Sequence, residues 1–387
     1  MIKIAIISDM HCMHSSKEKS PENISTHLYS DDLGTSENRH PVKALYKLIN
    51  KETLRTKLLI CPGDITNHAD KQGLLSGWSY LEKIRSQLNA TDIVATVGNH
   101  DIQSRNDLVG NVFLELQSLS PDYPVPKDIE NSNYWSLGYL ILKRDETLIL
   151  NINSCFFHKN SITAKKSQIE SSQLEAIEKE LNSVNLDDFP YKIVLIHHHP
   201  IIHSNMDYED VDKLDKGDEL ISLIKKFKFQ IIVHGHKHES RLTISNSIPI
   251  FCSGSFSSLM NVNILKCDNT FHILNLEKFQ AKGFIETWIY APQEGWIYRQ
   301  DTPFPCVTGF GFDGIIGSLA KEINEWLSTS KEGKMSLYND LKSQFPDLNY
   351  LNKDKQIELA EELKNNFNLS FHPNYPSKPE VIIATIR

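Results

Sequence analysis

The chain has 387 residues, of which 40% are hydrophobic and 23% charged, a composition that excludes disorder as the dominant state. No run approaches the ~20 consecutive apolar residues of a membrane-spanning helix. The 41 basic and 49 acidic residues leave a formal charge of -8, which argues against a non-specific nucleic-acid or anionic-membrane binder but not against a nuclease whose local field is set by bound metal.

The opening Ile2 to Ile7 is a short β-branched run that ends in polar residues, as a buried strand does. Similar runs recur at Lys57–Cys61, Ile93–Val97, Leu148–Ile152, Ile193–Ile196, Gln230–Val233 and Pro249–Cys252. Helical periodicity fills the gaps at Val42–Asn50, Leu74–Leu88, Gln173–Leu181 and Asp218–Phe227. Alternating strands and helices predict an α/β architecture with helices packed on sheets. The polar stretch 12–39 follows the first strand and is long for a connection. It reads either as a lid or as a solvated insertion.

Texture changes after about residue 280. Gly283–Ala291 and Gly295–Arg299 read as paired strands. Helical patterns follow at Ile315–Leu327, Met335–Phe345 and Lys353–Phe367, and the chain ends in the strand-like Val381–Ile386. The expected division is a catalytic domain over 1–280 and a small C-terminal α+β module over 281–387. Trp288 and Trp296 read there as packing residues. The six cysteines lie far apart and form no C-x-x-C pair, which suggests thiols in a reducing compartment. The start MIKIAIISDMH lacks a basic region leading into a cleavable apolar segment. A cytoplasmic protein is the expectation.

Five segments carry the chemistry: Ser8-Asp9-Met10-His11, Gly63-Asp64-Ile65-Thr66-Asn67, Gly98-Asn99-His100-Asp101, His197-His198-His199-Pro200 and His234-Gly235-His236-Lys237-His238. Each follows an apolar run. Each offers Asp, Asn or His, with Gly or Pro shaping the turn. Phosphate-ester hydrolysis needs water to attack an anion, and two cations about 3.5–4 Å apart can clamp the phosphate oxygens and acidify that water. Side chains two apart on an extended segment share a face, so Asp9 and His11, or His236 and His238, can reach one ion. Glycines before Asp64, Asn99 and His236 permit the tight turns that aim these groups at one point. Any one segment alone is an ordinary turn; the ordered set of five is a metal site.

This order resembles the calcineurin-like metallophosphoesterase superfamily, which is marked by D-x-H, G-D, G-N-H-[DE], a later His before x-P, and G-H-x-H. The resemblance covers roughly 1–280. It implies a core of two β-sheets, sandwiched and flanked by helices in four layers. It implies one metal on Asp9, His11 and His238, another on Asn99, His198 and His236, and Asp64 bridging them. His197 would be a strand-end neighbour and His199 a substrate-facing group. His100 would protonate the leaving oxygen or stabilise charge on the phosphate, and the nucleophile would be a hydroxide bridging the ions. Asp101 either orients the His100 imidazole or holds its own turn. The imidazole, carboxylate and amide ligands suit Mn, Fe, Zn, Co or Ni; Ca or Mg alone suit so many histidines less well.

The expected cofactors are therefore two divalent transition-metal ions, and the expected substrate is a phosphate ester. The stretch from Gly63 to Ile84 resembles the corresponding segment of small-molecule and cyclic-nucleotide phosphodiesterases and predicts a helix behind the ligand loop. That favours a nucleotide-like or small phosphodiester. Ala69 stands where a Gly often occurs in cyclic-nucleotide-type relatives. A metal-dependent nuclease is the alternative, with nucleic acid as the partner. A third reading is a metal-stabilised scaffold that binds a protein partner through its C-terminal module. Asn67 and His68 could point into the pocket. His203 reads as an exposed loop residue or a neighbour of the site. Cys12 and Cys61 read as buried small hydrophobes. Gly254-Ser255 reads as a turn near the site.

Overall fold

The computed structural model describes residues 1–18, 24–32, 36–104, 110–129, 131–203, 212–260, 267–329, 335–373 and 379–384. Its strands begin with β1 (Ile2–Ile6), β2 (Leu58–Cys61), β3 (Asp92–Ala95), β4 (Tyr139–Arg144) and β5 (Thr147–Ile152). They continue with β6 (Tyr191–Ile196), β7 (Ile231–His234), β8 (Ser240–Ser245), β9 (Ile248–Ser253) and β10 (Thr270–Leu276). The last are β11 (Gly283–Ala291), β12 (Gly295–Ile297), β13 (Val307–Phe310), β14 (Met335–Leu337), β15 (Leu369–His372) and β16 (Val381–Ala384). The helices are α1 (Pro41–Lys51), α2 (Lys71–Gln87), α3 (Leu114–Gln117), α4 (Asn131–Leu137), α5 (Ser171–Asn182), α6 (Gly217–Lys226), α7 (Ile316–Thr329), α8 (Tyr338–Gln344) and α9 (Lys353–Phe367).

Two mixed sheets form the core. One runs β12-β11-β10-β1-β2-β3, with β13 also on β11; the other runs β4-β5-β6-β7-β9-β8. Strand β6 shows why they stack. Ile193 and Leu195 pack into the cluster between the sheets, while Val194 and Ile196 pack on the opposite face beneath α5 and α6. Alternation of side chains across a strand, apolar on both sides, demands a layer on each face. Helices α1 and α2 cover the outer face of the first sheet through Leu45, Leu48, Ile49, Leu81 and Ile84. The result is the four-layer α/β arrangement.

Local signals set the helices that flank the site. His40 caps α1, its ring nitrogen accepting from the Lys43 N–H at 3.4 Å, and Pro41 occupies the first turn. Asp70 caps α2, accepting from Gly73 N–H at 2.9 Å and from His14 N–H at 2.8 Å. That second bond ties α2 to the segment after the first motif. The helix expected behind the Gly63–Asn67 loop is thus present and anchored to it.

The parallel strands β1, β2, β3, β6 and β7 bring their C-terminal ends to one edge, where all five motifs lie. The sheet does not stop at residue 280. β11 pairs with β10 from Thr270↔Ile289 to Leu276↔Gly283, and β12 and β13 pair with β11. Trp288 and Trp296 pack into the main core. A separate apolar cluster is built by α7, α8 and α9 with Leu369, Phe371 and Ile382 of the small sheet β14-β16-β15. We propose, on this packing, that the C-terminal unit begins near residue 311 instead of 281. Met335–Phe345, expected as one helix, divides into β14 and α8 because Met335, Ser336 and Leu337 pair with Ile383, Ile382 and Val381. None of the six cysteines is disulfide-bonded, and Cys12 and Cys61 are buried. No described helix is long and apolar enough to cross a membrane. Of the 12–39 stretch, 19–23 and 33–35 lie outside the described residues. The described remainder closes on itself through a Met13↔Tyr29 bridge and packs on the body through a Cys12↔Thr66 bridge, a Thr26↔Ser258 bridge and a fully buried Leu28.

Candidate metal centre

Asp9, His11, Asp64, His236 and His238 all adopt positive φ, at 50°, 46°, 53°, 73° and 57°. Left-handed backbone at a non-glycine residue costs on the order of 1 kcal/mol, and such strain gathers where function requires it. The D-x-H segment is therefore not the extended pair expected. Two left-handed residues, with Asp9 N–H on Gly63 O and His11 N–H on Asp64 O, aim both side chains inward instead. The motif glycines also divide by role. Gly63 supplies φ 107° for a turn. Gly98 and Gly235 are close-approach positions, where an added Cβ would meet Asp64 Oδ1 at 2.1 Å and Ser8 Oγ at 2.3 Å.

Two ligand groups result. Asp9, His11, Asp64 and His238 offer ligand atoms within 4.8 Å of one another, all from buried residues. His11 Nε2 lies 3.0 Å from His238 Nε2, 3.9 Å from Asp9 Oδ1 and 3.7 Å from Asp64 Oδ2; His238 Nε2 is 3.3 Å from Asp9 Oδ1. In the second group, Asn99 Oδ1 lies 3.1 Å from His197 Nε2 and 2.9 Å from His236 Nδ1. Asp64 Oδ2 is 3.5 Å from His197 Nε2, so this one oxygen borders both groups. Ligands at about 2.1 Å from one ion stand about 3.0–3.4 Å apart; the His11–His238, His238–Asp9, Asn99–His197 and Asn99–His236 edges lie in or beside that range, and the edges of 3.5 to 3.9 Å to Asp64 and from His11 to Asp9 are longer than it. The donor set of imidazole, carboxylate and amide fits divalent cations.

The hydrogen bonds behind the ligands set their tautomers. His197 Nδ1 donates to Pro62 O at 2.8 Å, which leaves Nε2 for a ligand role. His236 Nε2 donates to the Asp212 carboxylate at 2.5 Å, which leaves Nδ1 beside Asn99. Asp212 is a contributor that the sequence reading missed. It lies 24 residues before His236 in the chain and in no motif, and Ser167 Oγ donates to its carbonyl at 2.7 Å. The sequence reading likewise assigned His198 and passed over His197. The structure puts both in the second group with His236. His198 has Nδ1 on Ser154 Oγ at 2.8 Å, whereas His197 is the one facing Asp64 and Asn99. Its only sequence signal is that it follows β6 directly.

His100 is half-buried, its ring 4.7 Å from that of His11. Its backbone N–H donates to Asp64 Oδ1 at 2.7 Å, and its Nδ1 donates to Asn67 Oδ1 at 3.0 Å. Asn67 Nδ2 in turn donates to Ser25 Oγ at 3.3 Å and points to Met13 Sδ at 3.4 Å, which fixes the amide's orientation and links it to the 12–39 stretch. Asp101 is occupied elsewhere. Its Oδ2 accepts from Asp64 N–H at 3.0 Å and Gly98 N–H at 2.9 Å, and its Oδ1 from Thr66 N–H at 3.0 Å. Of the two roles left open for Asp101, these contacts match the turn-holding one, and the side chain that meets His100 Nδ1 is Asn67.

Burial opposes ionisation of Asp9, yet the His11 and His238 imidazoles hold its carboxyl below the ordinary range. Burial also opposes ionisation of Asp64, and His197, His100 and His11 more than offset it. Burial and the Asp64 charge push Asp101 up to about 7, against the pull of its N–H donors. Burial pushes His100 down to about 3. His203 is buried, with its ring 3.2 Å from Glu239, and is not an exposed loop residue. Ser255 of the Gly254-Ser255 turn donates to Asp9 O at 2.7 Å and so supports the first motif.

The family model described as calcineurin-like phosphoesterase matches residues 2–240, which contain every candidate ligand described above. A protein of Ruthia magnifica subsp. Calyptogena magnifica, named "Probable cyclic nucleotide phosphodiesterase", is 24% identical over 239 residues, 62% of this chain and 79% of that protein. Purple acid phosphatase PPD1 from yellow lupin, Lupinus luteus, has a TM-score of 0.49 at 17% identity, over 77% of this chain. The match spans about half of that phosphatase, 52% of its chain. Vps29 from Entamoeba histolytica, complexed with Zn+2, has a TM-score of 0.34 at 10% identity, over 74% of this chain and 92% of Vps29. With the motifs joined at one sheet edge and the family model covering most of the chain, the protein belongs to the calcineurin-like phosphoesterase family.

Proposed function

We propose that the protein is a dinuclear metal-dependent phosphodiesterase acting on a nucleotide-like or other small phosphodiester. One observation carries the dinuclear part: Asp64 Oδ2 lies 3.7 Å from His11 Nε2 and 3.5 Å from His197 Nε2, between two ligand groups that otherwise share no residue. In this reading Asp9, His11, His238 and Asp64 hold one divalent ion. Asp64, Asn99, His197 and His236 hold the other, with His198 beside them. When bound, two such ions neutralise phosphate oxygens and lower the pKa of water. Mn, Fe, Zn, Co and Ni all suit the donors.

The chain's own residues do the rest. Asp212 holds the His236 ring through Nε2, and Pro62 holds the His197 ring through Nδ1. Asn67 accepts from His100 Nδ1, so the neutral ring presents the Nε2 lone pair to the centre, and Nε2 is the atom that must first take up a proton before it hands one to the leaving oxygen. The Asp101 clamp keeps the Asp64 and Gly98 turns in register. The diester preference is supported by the similarity to the protein named as a cyclic nucleotide phosphodiesterase. The test is hydrolysis of an aryl phosphodiester against an aryl phosphomonoester by metal-loaded protein, with His100→Ala as control. Diester cleavage that falls in the variant supports the reading. A clear monoester preference would overturn the diester assignment.

A further inference from the structure

Behind the turn that carries His236 and His238 lies a second collection of soft donors. His234 ends β7 and Cys252 lies near the end of β9, and the two are register partners in that parallel pair. Paired residues of neighbouring strands present their side chains on the same face. His203 arrives from the loop after β6, held by its carbonyl on Arg241 and by its ring on Glu239 at 3.2 Å. All three side chains are buried, at 2%, 1% and 7% exposure for His234, Cys252 and His203.

We propose that His203, His234 and Cys252 form a further metal site that takes one structural Zn2+, with Glu239 beside it as fourth donor or as hydrogen-bond partner of His203. Their ligand atoms lie within 4.8 Å of one another, and closing on a tetrahedral zinc asks for about 3.4–3.6 Å, a shift that side-chain rotation supplies. His234 Nδ1 donates to Gly235 O at 3.0 Å, so Nε2 carries the lone pair. Cys252 Sγ reaches the same carbonyl at 3.5 Å. On binding, the S–H bond breaks, a sulfur–zinc bond forms and the proton leaves to solvent. Thiolate and imidazole are the donor types of structural zinc. Glu239 also lines a cavity of about 500 Å³ with Ser240, Arg241 and Lys355. The ion would pin the chain one residue before Gly235 and steady the strained His236–His238 turn.

The site is separable from the phosphoesterase centre because no ligand proposed there is a thiol. The full chain, stripped of metal, is titrated with Co2+ and its near-ultraviolet and visible spectrum recorded. A thiolate-to-cobalt charge-transfer band whose amplitude corresponds to one thiolate-bound ion per chain, beside the Co2+ taken up without such a band at the phosphoesterase centre, is expected, displaced by Zn2+, lost in Cys252→Ser and weakened in His203→Ala. Cys155→Ser controls for the other thiol near histidines, Cys155 with His158 and His198, and keeps the band. Absence of a thiolate band in the wild-type protein, or a band that survives in Cys252→Ser, overturns the proposal. The wild-type spectrum decides the case by itself if a variant folds poorly.

Discussion

Asp101 offers the sharpest test of how the site is held. Its carboxylate is 2% exposed and accepts the N–H groups of Asp64, Thr66 and Gly98 at 3.0, 3.0 and 2.9 Å. Asp101→Ala leaves all three amides buried without that acceptor. At about 1–3 kcal/mol for each unsatisfied buried group, and with water entering the vacated space to recover part, the expected loss is about 3–5 kcal/mol. Asp101→Asn keeps an oxygen at the Oδ2 position and turns an NH2 toward the Thr66 N–H, which costs about 1–2 kcal/mol. Urea unfolding of the metal-stripped proteins measures both without contribution from bound ions. Metal-saturated Asp101→Asn should keep turnover within about tenfold of wild type, because the residue holds turns and moves no proton. Unchanged stability in Asp101→Ala, with full metal content and turnover reduced about a hundredfold or more, would refute this reasoning and make Asp101 a chemical participant.

Asn67→Ala removes the partner of His100 Nδ1 and should lower kcat by about 10–100-fold with KM nearly unchanged; an equal effect in a His100→Ala background would contradict the link. Gly98→Ala places a Cβ 2.1 Å from Asp64 Oδ1, so metal retained after dialysis should fall steeply, and undiminished metal content would show that the turn yields. His272 is buried between Thr287 Oγ1 and Ser253 O, at 2.8 and 2.7 Å, and burial pushes it down to about 3. Its neutral form is favoured in the fold, so its contribution is complete above the unfolded value of about 6.5 and is lost as pH falls toward about 3. Between pH 7 and pH 5 that amounts to about 2 kcal/mol, which His272→Gln should remove from the acid slope of unfolding; identical slopes would contradict it.

Strands buried on both faces were legible because they are continuous β-branched runs: β1, β2, β3, β6, β7 and β9 all fall within a few residues of the runs read from sequence. β8 was not, because SRLTIS is mostly polar and half-exposed. β10 was not, because TFHILNL carries His272 and Asn275 into the core, where the His272 ring meets Thr287 Oγ1 and Asn275 Nδ2 donates to Glu286 across the sheet. Gly283–Ala291 and Gly295–Arg299 were legible as strands, but the pairing of β11 with β10, on which the proposed boundary near residue 311 rests, is a tertiary fact that no local pattern carries. In the site, Asp9, His11, Asp64, Asn99, His236 and His238 are brought together as their motifs suggested. The choice between His197 and His198 depends on ring direction at a strand end. The part of Asp212 depends on meeting His236 across 24 residues of chain, and that of Asn67 on meeting His100 across two turns. These are relations between segments, which single motifs do not encode.

The central claim is that two metal ions sharing Asp64 drive phosphodiester hydrolysis. The most direct measurement restores one ion type at a time to the metal-stripped chain and follows aryl phosphodiester hydrolysis against metal bound, in wild type and in Asp64→Ala. The account predicts activity that rises with occupancy of the second ion and is abolished with Asp64. Hydrolysis that is complete with a single bound ion, or no hydrolysis of any phosphate ester by protein carrying both, would contradict it.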